Sequence, residues 1–211
     1  AAPEVFCVGA IDASVIYINN EPLQIRNRAQ NGDCGAISDV NVLQIGEVID
    51  LVSNGVITNQ DMITNNPARV TAFINAYDQG LASTINNPAR AYLLSSNHIE
   101  SLPLDDDFRV ALETLANDQD AFLMTMPNRD EVAQSRTEQR EFLSQQFDAN
   151  ILLQFDILLA SIELWDADQL GFTDEESWIN MQDTLLALGQ LGEAADISDI
   201  FTNDFLPTND E

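Results

Sequence analysis

Ile151-Leu152-Leu153-Gln154-Phe155-Asp156-Ile157-Leu158-Leu159-Ala160-Ser161-Ile162-Glu163-Leu164-Trp165 is the stretch on which the fold turns. Fifteen residues without Gly or Pro are too many for one strand, and apolar side chains around most of the circumference mark a buried helix. Asp156 and Glu163 interrupt the run, and its length falls short of the roughly 20 apolar residues that span a bilayer, so no membrane insertion is expected. Gly171-Phe172-Thr173-Asp174-Glu175-Glu176 follows. Gly suits the left-handed end of a helix, and Thr173 with Glu176 reads as a capping box that starts the next one. Segments 151–165 and 173–191 are therefore expected to form a central apolar helical hairpin.

The same punctuation recurs upstream. Gly35-Ala36-Ile37-Ser38 with Asn41, and Gly55-Val56-Ile57-Thr58 with Asp61, each read as a helix stop followed by a start. Asn65-Asn66-Pro67-Ala68-Arg69 and Asn86-Asn87-Pro88-Ala89-Arg90 place Asn at an N-cap and Pro at the first helical position, where its missing N–H is not needed. Helical stripes appear at Val42, Ile45, Val48, Ile49 and Val52, at Val70, Phe73, Ile74 and Tyr77, and at Phe108, Ala111, Leu112 and Leu115. Arg129 to Phe147 is mostly polar and is expected to face solvent. The short β-branched run Val15 to Ile18 is the one strand signal. The expected fold is an all-α multi-helix bundle over 1–205 with a sub-boundary near 101–104, followed by a mobile acidic tail, 206–211.

Charge narrows the partners. The chain has no lysine, eight arginines and thirty-five Asp and Glu, a net charge of -27. Residues 141–211 hold sixteen of the acids and no arginine. Such a surface repels phosphate backbones and anionic lipid, which disfavours nucleic acid and membrane docking. It calls for high salt, a divalent cation or a basic partner surface. Cys7 and Cys34, without a C-x-x-C spacing, are expected to form one disulfide that ties down the N-terminal segment. With the opening Ala1-Ala2-Pro3-Glu4, this suggests an exported protein from which a signal peptide has been removed.

No catalytic constellation is visible. His98 is the sole histidine, no G-x-S-x-G elbow is present, and the absence of lysine removes Schiff-base chemistry and the Walker A loop. A non-enzymatic role is expected. Asp166-Ala167-Asp168-Gln169-Leu170-Gly171-Phe172-Thr173-Asp174-Glu175-Glu176-Ser177 resembles an EF-hand loop, with Asp at positions 1, 3 and 9 and Gly at 6. It departs from that family at Leu170 and Ser177, where an oxygen donor and a bidentate Glu belong. The resemblance implies calcium held by Asp166, Asp168, Asp174 and Glu176. Asp50 to Asp61 is a poorer match. A third reading is a carrier of an apolar ligand or pigment in a cavity lined by Phe155, Leu158, Ile162, Leu185 and Leu188. The leading expectation is a structural or interaction subunit of an extracellular assembly, engaging a protein partner or itself.

Overall fold

The computed structural model describes residues 2–207; the last four positions of the expected tail, 208–211, lie outside the described residues. Among the described residues there are nine α-helices and no strand, in keeping with the all-α expectation, although no α-helix follows the expected start at Ser38 and the helix after Gly55 is capped by Asn59 instead of Thr58. They fall into two compact units, Ala1–Val42 with Ala82–Asp166, and Leu43–Leu81 with Ala167–Glu211.

The first unit contains α1 (Ala2–Cys7), α2 (Glu21–Gln30), the end of α4 (Pro67–Asn86), α5 (Pro88–Ser95), α6 (Asp106–Leu123), α7 (Arg129–Ser144) and α8 (Ala149–Trp165). The decisive apolar stretch is α8, which packs against α2, α5 and α7. Its first turn is capped by Asp148, whose carboxylate accepts from the Asn150 and Ile151 amides. Leu152 and Phe155 enter a core shared with Ala89, Tyr92, Phe108, Leu112, Ala116 and Leu143. Tyr92 stands edge-on to Phe108 and Phe155, with ring centroids 5.7 and 5.9 Å apart, an arrangement favoured by the ring quadrupoles. Residues 101–104, the expected sub-boundary, connect α5 to α6 inside this unit. Asn87 caps α5 as its sequence predicts. Its side chain accepts from the Arg90 amide and donates to Ala116 O and Asp120, holding α5 to α6.

Burial of Tyr92 makes alkaline stability measurable. Its hydroxyl donates to Pro103 O at 2.8 Å, and burial pushes the phenol up from 10.0 to about 12. A raised value means that this contribution is complete below about pH 10 and is lost as pH rises through about 12. Unfolding midpoints between pH 9 and 12 should therefore fall more steeply for the wild-type chain than for Tyr92→Phe; parallel profiles would show that Tyr92 is not responsible.

Cys7 and Cys34 form the expected disulfide, closing a separation of 27 residues between the last residue of α1 and the turn that follows α2. Around it, Ile25 is buried, with Phe6, Ala29, Ile37 and Val40 packed alongside.

The second unit contains α3 (Gln60–Asn65), most of α4, α9 (Glu175–Ala187) and 3-10 turns at Ile45–Glu47 and Ile197–Asp199. Trp178 of α9 stacks on Phe201 at 5.4 Å, with its indole N–H donating to Thr173 Oγ1 at 3.0 Å. Asn203 clamps the same threonine by accepting from its amide and donating to its carbonyl. Gly171 is required here: its φ is +72°, and a Cβ would lie 3.0 Å from Leu206 Cδ2. Leu206 and Pro207, the first two positions of the expected tail, are half-buried.

Three local expectations are corrected. The 42–52 stripe does not form a helix beyond the short turn; Leu43 and Val48 are 93% and 88% exposed. Its β-branched residues and Gly46 have weak helix propensity, and no cap starts it. The second helix of the expected hairpin, α9, lies in the second unit and buries only Ser177 among its residues. Finally, α7 does not simply face solvent: Val132, Arg136, Gln139 and Leu143 form a buried stripe in which two of four side chains are polar.

Candidate ligand groove between α6 and α7

The groove starts from how α6 and α7 are joined. Asp105 caps α6 by accepting from the Phe108 amide at 2.8 Å. The helix ends at Leu123, and the turn through Met126 carries a positive φ of 56°. Asn128 then opens α7 with a full capping box: its side chain accepts from the Glu131 amide, and the Glu131 carboxylate accepts from its own. Val132 and Leu143 anchor the inner face of α7. Between the two helices a groove of about 700 Å³ is left open. Leu115, Phe122 and Phe142 give it apolar surface, Gln119, Gln134, Ser135 and Gln139 give it hydrogen-bonding groups, and Asp118, Asp130, Glu131 and Glu138 add carboxylates.

One wall is an ordered chain of amides. Gln119, 3% exposed, donates from Nε2 to Asn86 O at 2.8 Å and to Ser135 Oγ at 3.0 Å. Its Oε1 accepts from Gln139 Nε2 at 2.8 Å. Gln139 is 6% exposed, and its own Oε1 is buried without a hydrogen-bond partner.

Beside it on α7, Arg136 is 3% exposed and donates to Ile85 O and to Asp166 Oδ2, the latter at 2.6 Å. Asp166 also receives Arg129 at 2.7 Å, so this carboxylate is committed to two guanidinium groups. A second, smaller groove of about 360 Å³ is lined by Arg90, Leu93, Leu94, Arg109, Glu113 and others. There Arg90 is engaged by Asp120, whose carboxyl is held low chiefly by that hydrogen bond.

The residues singled out from sequence are placed as follows. Asp166 caps off α8 inside the arginine pair, whereas Asp174 is the N-cap of α9. The Ser177 hydroxyl, 2.7 Å from Asp174 Oδ2, and the Ser177 amide keep the Asp174 carboxyl below its usual range. Glu176 lies in the first turn of α9. Among the described residues no group of three or more His, Cys, Asp or Glu is gathered in a way that could hold a metal. Of the loop's acids, Asp166 serves the arginine pair and Asp174 the α9 cap. Phe155 and Ile162 are fully buried and Leu158 partly so in the first unit, while Leu185 is half-buried and Leu188 is 65% exposed in the second. Gln119, Gln139 and Arg136 were not singled out from sequence. Their only local signal is that each occupies a core-facing register between apolar neighbours, such as Leu112, Ala116 and Leu143.

Apolar walls with a few buried polar groups are the make-up common to small-molecule pockets. Residues 3–91 match the family model described as NMT1/THI5 like. The chain is also 25% identical over 202 residues to the riboflavin-binding protein RibY of Chloroflexus aurantiacus, covering 93% of this chain and 43% of that protein. It spans less than half the length of the curated relative it matches. No solved structure matches. These findings overturn the expectation of a structural subunit acting through its surface: a protein similar over nearly the whole chain is named for a small molecule it binds, not for an assembly it builds. Among the described residues no helix is long and apolar enough to cross a membrane.

Proposed function

We infer that the chain is part of a small-molecule-binding protein, and that it takes a neutral, planar heterocycle between α6 and α7 without acting on it chemically. The observation that carries this reading is an apolar-walled groove of about 700 Å³ in a chain similar, over 93% of its length, to a riboflavin-binding protein. That volume lies within the ~300–1,000 Å³ typical of ligand pockets. Leu115, Phe122 and Phe142 suit an aromatic ring system, and the amides suit its polar edge. The carboxylates of Asp118, Asp130, Glu131 and Glu138 disfavour an anion, which selects an unphosphorylated ligand. A small molecule thus takes the place of the protein partner. The Cys7–Cys34 disulfide supports an oxidising, exported setting.

Riboflavin fluorescence tests this directly. Titration with the wild-type chain should quench it saturably, and Phe142→Ala should weaken binding by about tenfold through lost ring contact. Arg109→Ala, in the other groove, should leave it unchanged. The phosphorylated form, flavin mononucleotide, should bind at least about tenfold more weakly because of the acidic rim. Absence of saturable quenching, or equal response to both Phe142→Ala and Arg109→Ala, would count against the α6–α7 site.

A further inference from the structure

We propose that the smaller groove, between α5 and α6, is a second binding site that takes an aliphatic α-amino acid as its zwitterion. It is separate from the α6–α7 groove and does not depend on what that groove holds. Two helix faces build it. Arg109, Glu113 and Asn117 recur every fourth residue along α6, and Arg90, Leu93 and Leu94 of α5 line the other side, with Asn97 just past the end of that helix. Arg90 is already spent, donating to Asn117 Oδ1 at 2.9 Å and Asp120 Oδ2 at 2.5 Å. Two opposite charges are left over. Among the described residues neither the Arg109 guanidinium nor the Glu113 carboxylate has an ion-pair or hydrogen-bond partner. Every other arginine of the first unit meets a carboxylate: Arg26 that of Asp39, Arg28 that of Glu4, Arg90 that of Asp120, Arg129 and Arg136 that of Asp166, and Arg140 that of Asp156.

An unspent guanidinium lining a cleft suits a carboxylate, but its surroundings set a condition. Asp105 and Asp106 lie about one turn before Arg109, and Glu113 one turn after it, in a chain of net charge -27. These acids repel a bare anion, whereas a ligand that brings its own cation is matched to them. The α-ammonium of an amino acid donates to Glu113 while its carboxylate accepts from Arg109. Asn97, whose Nδ2 donates to Leu93 O at 3.4 Å, offers Oδ1 as a further acceptor for that ammonium. Size and apolar surface fix the rest. The groove, about 360 Å³, is near the lower end of the ~300–1,000 Å³ typical of ligand pockets and suits a small molecule. Leu94, 59% exposed, and the half-buried Leu93 give a branched aliphatic side chain apolar surface to cover.

The test is a calorimetric titration with leucine, with isocaproate, which lacks the ammonium, and with isoamylamine, which lacks the carboxylate. The wild-type chain should bind leucine saturably and each truncated compound about fivefold more weakly, the loss of one exposed charge pair. Arg109→Gln should weaken leucine about fivefold and leave isoamylamine unchanged; Glu113→Gln should weaken leucine similarly without weakening isocaproate. Arg69→Gln is the control, because Arg69 belongs to the second unit and, among the described residues, also has no ion-pair or hydrogen-bond partner. It should leave leucine binding at the wild-type value. All three side chains are exposed, so the variants should keep the wild-type circular dichroism. Lack of saturable leucine binding by the wild-type chain would overturn the proposal, and that arm needs no variant to fold. So would equal binding of the three compounds, or an equal response to Arg109→Gln and Arg69→Gln.

Discussion

Replacing Asp166 with alanine is expected to lower folding stability by about 3–5 kcal/mol, the cost of removing one partner from a buried ion pair. Arg136 is the reason. It is 3% exposed, its Nε is already buried without a partner, and its remaining compensation is Asp166 at 2.6 Å and Ile85 O. Glu163, 3.8 Å away and 71% exposed, screens it poorly. Removing the Asp166 carboxylate strands a positive charge in the interior, where solvation cannot be recovered. Arg129→Ala provides the contrast. Its guanidinium also meets Asp166 but is 47% exposed, so its loss should cost no more than about 1 kcal/mol. Urea unfolding of the three chains measures both quantities. An Asp166→Ala midpoint matching that of Arg129→Ala would show that Arg136 relaxes toward water and is not held as described. The same experiment bears on the loop's resemblance to a calcium site, because calcium in the wild-type buffer should not raise the midpoint if Asp166 serves the arginines.

Removing the disulfide is expected to cost about 3.5 kcal/mol, from the loop entropy that a cross-link over 27 residues takes from the unfolded chain. The N-terminal segment has little to replace it. The cluster around Cys7 and Cys34 has Ile25 as its other buried apolar member, and the Arg28–Glu4 pair, at 3.3 Å, is exposed. Exposed pairs contribute about 0–1 kcal/mol. A Cys7→Ser, Cys34→Ser double variant should therefore unfold at lower urea than the oxidised wild type, and a reductant should move the wild type to the same midpoint while leaving the variant unmoved. Identical midpoints for oxidised and reduced wild-type chain would refute the entropic account.

Helix class, α8, the Asn87 cap and the cysteine pairing were legible in the sequence because each depends on neighbours a few residues away or on a residue type with few alternatives. Where a helix does follow, the expected cap at Thr58 or Thr173 lies within a residue of the actual one, whereas the Ser38 signal opens no α-helix. Thr173 was expected to cap α9, yet Asp174 does so while Thr173 receives the Trp178 indole, a choice decided by contacts with Phe201 and Asn203. The 42–52 segment misled because its apolar spacing permits a helix that its residues do not favour. The groove was illegible for a different reason. Gln119 meets Asn86 across 33 residues and Gln139 across 20, and apart from their register beside apolar neighbours nothing in the sequence sets them off from other polar residues. Only packing shows that they are inside. The similarity to a riboflavin-binding protein redirected the functional reading from surface to interior, a shift that composition and charge could not make.

The two indoles are apportioned one to each compact unit: Trp165 ends α8 in the first, and Trp178 stacks on Phe201 in the second. The chain thus carries a separate optical reporter for each half. Trp165→Phe and Trp178→Phe would each leave a single emitter, so that intrinsic fluorescence could follow the melting of one unit at a time and show whether the two halves let go together or in turn.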